Sequence, residues 1–66
     1  MPTQEFKSTK SHSTFTVTGD RNRAYLTVTG EAYAKAKVQK EITRIRQGGA
    51  TWDEAVWTAK MLASTY

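Results

Sequence analysis

The sequence predicts an α+β fold in which a small β-hairpin is followed by two helices. Three observations carry this expectation. Within residues 14–29, two short β-branched segments, Phe15–Thr18 and Leu26–Thr29, alternate strictly between apolar and polar side chains. Residues 31–47 place apolar residues at helical spacing and stop at Gly48-Gly49. Residues 51–65 open with a capped helix start and hold a broad apolar face.

Residues 1–13, MPTQEFKSTKSHS, are polar, with Phe6 as their one large apolar residue. Such a composition predicts a flexible N-terminal arm, with an edge strand around Phe6 as the other reading. The compact β-α-α domain is then expected over 14–66. Within it, Phe15-Thr16-Val17-Thr18-Gly19-Asp20 is echoed by Leu26-Thr27-Val28-Thr29-Gly30-Glu31. Period 2 sends Phe15 and Val17 to one face and Thr14, Thr16 and Thr18 to the other. In the second copy Ala24, Leu26 and Val28 point inward, while Arg23, Tyr25, Thr27 and Thr29 point outward. Gly19-Asp20-Arg21-Asn22 has the residue types of a turn, so the two strands read as a hairpin.

The first helix is expected over 31–47, EAYAKAKVQKEITRIRQ. Ala34, Val38, Ile42 and Ile45 form its core stripe at 100° per residue. Tyr33, Lys37, Lys40 and Arg44 form a second stripe, an aromatic with three cations. That stripe reads either as a solvated face or as a set of phosphate contacts. The second helix begins at Thr51, whose spacing to Glu54 makes a capping box, and Asp53 and Glu54 suit the positive end of the helix dipole. Trp52, Ala55, Val56, Ala59, Leu62, Ala63 and Tyr66 line one face. Trp57 and Met61 lie on the opposite side, where two helices in a single chain offer no cover, so the pair predicts a subunit or partner interface.

Size and charge bound the function. A chain of 66 residues buries roughly 60% of its unfolded surface, and such small cores usually need a staple. There is no cysteine and a single histidine, His12, which excludes disulfides and thiolate zinc sites and leaves oligomerisation as the expected staple. Ten Lys and Arg against six Asp and Glu give a net charge of +4, which favours an anionic partner. The charge sits forward: residues 1–46 hold nine basic against four acidic side chains, and residues 47–66 hold Lys60 against Asp53 and Glu54. No apolar run approaches a membrane span, and MPTQEFKSTK lacks the apolar stretch of a signal peptide, so a soluble cytoplasmic protein with no membrane partner is expected. With no nucleophile–base pair, metal set or phosphate loop in view, neither an enzyme nor a cofactor is expected.

From Arg23 to Tyr66 the order of strand, helix, Gly-containing turn and helix resembles the ribbon-helix-helix family of small DNA-binding regulators. The resemblance lies in the alternating Arg23-Ala24-Tyr25-Leu26-Thr27-Val28 and in the turn Gly49-Ala50-Thr51-Trp52-Asp53-Glu54-Ala55-Val56. It covers about two-thirds of the chain, and capped helical hairpins of this kind arise in unrelated folds as well. The resemblance implies an intertwined homodimer whose paired strands form a ribbon in the major groove of duplex DNA. On this sequence Arg23, Tyr25 and Thr27 would contact bases. The second helices of two subunits would pack together, which would account for Trp57 and Met61.

The phosphate contacts in that reading are Arg21, Lys37, Lys40, Arg44 and the helix start at Thr51. The dimer or partner interface is Leu26, Val28, Trp57 and Met61. The sequence departs from the family in a first helix about a turn longer than usual, in Gly30 where a helix-starting Pro or Ser would stand, and in the upstream strand Phe15–Thr18. If that strand pairs with Leu26–Thr29 within the chain, the fold becomes a ββαα monomer or a different dimer. The alternative function is a small modulator or inhibitor that docks on a protein partner through a hairpin edge and the Trp57/Met61 patch.

Overall fold

A computed structural model describes residues 2–66. The alternating segments fold as expected, and they gain a third strand. β1 (Thr3–Lys7), β2 (Thr14–Gly19) and β3 (Ala24–Thr29) form an antiparallel sheet in the order β1-β2-β3, followed by α1 (Ala36–Gly48) and α2 (Trp52–Thr65). The result is an α+β fold with both helices on one face of the sheet.

β2 is the central strand. Its residues pair Phe15 with Phe6 on one side and with Val28 on the other, and Val17 with Gln4 and Leu26. The inward set Phe15, Val17, Ala24, Leu26 and Val28 is buried against Val38 and Ile45 of α1 and Ala55, Ala59 and Leu62 of α2. α2 lies chiefly across β2, and α1 lies against β3. The turn between β2 and β3 follows its residue types. The Asp20 carboxylate accepts the backbone N–H groups of Asn22 at 3.0 Å and Arg23 at 2.8 Å, which closes the loop 20–23 between the strands.

In place of the flexible arm, the other reading of the N-terminal segment holds over Thr3–Lys7: an edge strand around Phe6, paired residue for residue with β2. Its polar composition hid a long-range pairing in which Phe6 alone supplies an apolar anchor. The rest of that segment is held by serines. Ser8, Ser11 and Ser13 are buried. Ser8 N–H donates to the Ser13 carbonyl at 2.8 Å, and the Ser11 hydroxyl donates to the carbonyl of Tyr66.

The first helix also starts later than its periodicity predicts. Glu31–Ala34 forms a separate 3-10 turn, and Lys35 is extended at φ −77°, ψ 127° before α1 begins. The cause is tertiary: Ala32 is fully buried, and its N–H donates to the Ser13 hydroxyl at 2.8 Å. That contact fixes the turn ahead of the helix. Gly30 enters it at φ 99°, where a Cβ would lie 2.8 Å from the His12 carbonyl oxygen. α2 matches its signals, with Thr51 Oγ1 accepting the Glu54 N–H at 3.3 Å.

Candidate nucleic-acid interface

The face of the sheet turned away from the helices is uncovered by the described residues. Cross-strand registration places Thr3, Thr18 and Tyr25 in one row, Glu5, Thr16 and Thr27 in the next, and Lys7, Thr14 and Thr29 in the third. Threonine suits such a surface, because its β-branch favours the extended backbone while its hydroxyl stays available. Arg23, one residue ahead of β3, lays its guanidinium carbon 5.6 Å from the Tyr25 ring centroid. This cation–π contact pre-orders the arginine at the end of the face.

The residues expected to contact bases, Arg23, Tyr25 and Thr27, are therefore neighbours on one exposed surface. The neighbours that sequence reasoning missed come from β1: Thr3, Glu5 and Lys7 complete each row. Phe6 was the one signal for that strand, and it did not specify the register.

The residues expected at phosphates do not share that surface. Lys37 and Lys40 are exposed on α1, in the helix layer. Arg44 is engaged on the same layer, 2.9 Å from the Glu41 carboxylate and 3.5 Å from that of Glu54 on α2. Hydrogen bonding to Glu41, then its charge, raises the Arg44 pKa further above its ordinary value. Tyr33 leaves the basic stripe altogether, because it sits in the 3-10 turn and not on α1.

Arg21 is exposed in the hairpin turn beside the start of α2. Its carbonyl accepts the Trp52 N–H at 3.1 Å, and Thr51 Oγ1 accepts that of Glu54. Two of the amides expected to hold a phosphate at Thr51, those of Trp52 and Glu54, are thus taken up by the chain's own acceptors, and Asp53 and Glu54 add negative charge there. The helix start is a capped terminus.

The interface residues divide as well. Leu26 and Val28, expected at a dimer or partner surface, are 2% and 6% exposed and belong to the core of the single chain. Met61 is half-buried and packs against that core. Trp57 is 63% exposed.

No protein-family model matches the chain, and neither a curated protein nor a solved structure is significantly similar to it. Among the described residues no helix is long and apolar enough to cross a membrane.

Proposed function

We propose that the protein binds duplex DNA through the outer face of its three-stranded sheet, with Arg23, Tyr25 and Thr27 directed at base edges. The observation that carries this reading is the uncovered strand face on which Arg23 lies over Tyr25 beside Thr27. Strands stand about 4.8 Å apart, so three strands span about 10 Å, within a major groove about 12 Å wide. Arginine offers a bidentate match to guanine, and threonine offers a hydroxyl and a methyl group to base edges. Lys7 on the same face neutralises phosphate, and the net charge of +4 draws the chain to the polyanion.

The ribbon-helix-helix form of this reading has β3 of two chains pairing with each other. In the single chain β3 already holds β2 along its full length. On its other edge Ala24 N–H donates to the Ala50 carbonyl at 2.9 Å. Leu26 is almost fully covered there. We therefore place the DNA contact on the three-stranded face, which needs no exchange of β2.

The test is fluorescence anisotropy of a labelled mixed-sequence duplex across a salt series. Arg23→Ala combined with Thr27→Ala is expected to remove binding while the circular dichroism spectrum stays unchanged. Lys37→Ala with Lys40→Ala leaves most of the affinity. Equal affinity of the Arg23/Thr27 double variant, or no binding by the native chain at low salt, refutes the reading.

A second reading rests on Trp57. An exposed tryptophan outside the core suits a small modulator that docks on another protein. Trp57→Ala is then expected to leave the fold intact and abolish capture of that partner.

A further inference from the structure

The two edges of the sheet are unlike. β3 is closed by Ala50 and by α1, as described above. β1 has no neighbour on its outer side among the described residues, and Thr3, Gln4, Glu5 and Lys7 are all exposed. The hydrogen-bond parity of β1 is set at its two ends. Gly19 N–H donates to the Pro2 carbonyl at 3.3 Å, and Ser8 N–H donates to the Ser13 carbonyl at 2.8 Å. Even-numbered residues therefore face β2, and Thr3, Glu5 and Lys7 turn their N–H and C=O groups outward. Unpaired groups in a row are a template for another strand.

We propose that this edge pairs antiparallel with β1 of a second copy, joining two sheets into one. The charges select the register. Centring the pair on Glu5 or on Lys7 sets like charges directly opposite, which is destabilising. Centring it on Phe6 sets Glu5 against the partner's Lys7 and Lys7 against the partner's Glu5. Those are outward-facing positions, so each pair exchanges both backbone hydrogen bonds. Neither side chain has an ion-pair partner among the described residues, so both are available for the contact.

The same register brings Phe6 opposite the partner's Phe6 at a narrow, non-hydrogen-bonded position, where side chains approach most closely. On the helix side of β1 a shallow groove is lined by Phe6, Lys60, Ala63 and Ser64, and the partner's ring enters it. Phe6 is half-buried in the single chain, so the pairing covers the remainder of its apolar surface. A strand of five residues buries less than the roughly 1,200 Å² of a standard stable interface, so the dimer is a weak one. This inference shares Lys7 with the DNA reading but uses neither Arg23 nor Thr27, and its test contains no DNA, so the two can fail separately.

The experiment is sedimentation equilibrium from millimolar to low micromolar protein, without DNA, on four chains. These are the native chain, Glu5→Lys, Lys7→Glu, and the chain with both changes. A concentration-dependent dimer is expected for the native chain. Each single reversal weakens it about tenfold or more, since two cross-strand pairs change sign. The double reversal restores it to within about threefold, because the same opposite-charge pairs reappear with their signs exchanged.

Amide hydrogen exchange of the native chain gives an independent reading that needs no variant. Gln4 and Phe6 are expected to be protected at every concentration, and Glu5 and Lys7 only at high concentration. A native chain that stays monomeric at millimolar concentration overturns the proposal. So does a double reversal no better than the single ones, or exchange at Glu5 and Lys7 that ignores concentration.

Discussion

Phe15 and Thr16 are consecutive residues of the same strand, and they belong to two surfaces of opposite character. Phe15 is fully buried with Val17, Leu26 and Val28 under both helices. Thr16 faces outward in a row with Glu5 and Thr27. The inner face carries almost all of the packing energy, so it tolerates little change. The outer face carries almost none, so its composition is free to answer to a ligand. A period of two residues separates a packed face from an exposed one without any change of backbone.

That contrast can be broken most directly at Phe15. Phe15→Ala is expected to cost about 3–5 kcal/mol, comparable to the whole stability that a core of this size supplies. Loss of the cooperative thermal transition would confirm it. A well-folded variant would mean that the packing resides elsewhere. A smaller loss is expected where the inner face is closed at its end. Gly30→Ala puts a Cβ against His12 and Ser13 at a φ of 99° and should cost about 1–3 kcal/mol, read from urea midpoints.

Thr51→Ala removes the acceptor for the Glu54 N–H and is expected to cost about 1 kcal/mol. Chemical denaturation at neutral pH would measure it. The outer face sharpens the comparison from the other side. Thr16→Ala should change stability by no more than about 0.5 kcal/mol, while duplex affinity falls. A stability loss near that of Phe15→Ala would show that the outer face is structural. The smallest effect belongs to the exposed Arg44–Glu54 pair: Glu54→Gln is expected to shift the melting midpoint barely at all, less still in high salt.

Parts of this organisation are legible in the residue order. Phe15-Thr16-Val17 and Ala24-Tyr25-Leu26-Thr27-Val28 state their alternation openly, and the observed strands follow it. Thr51 with Glu54 marks the start of α2 for the same reason: a cap is a local interaction and needs no distant partner. The placement of Arg23, Tyr25 and Thr27 on one side of β3 is local too, because alternation within a strand dictates it.

What escaped is non-local. Thr3–Lys7 has a strand's partners only once β2 is formed, so its polar composition reads as an arm. The first turn of the expected helix is diverted by Ser13, which lies 19 positions before Ala32. Arg44 is paired first with Glu41, three positions before it on the same helix, and only its longer contact to Glu54 waits for the helices to meet.

Sequence alone therefore determined the faces of β2 and β3, the turn at Asp20 and the start of α2, since these depend on neighbours within a few residues; the face of the expected first helix was shifted at its start, where Ala32 is buried and Ala34 exposed. The tertiary structure decided which edge of the sheet is left open, which charges are already paired and which apolar residues are already covered. Those properties depend on residues far apart in the chain, brought together by the packing of Phe15, Leu26, Ile45 and Leu62 into a single core. The closed edge at β3 and the open one at β1 have the same backbone chemistry. Only the position of Ala50 and α1 makes them different.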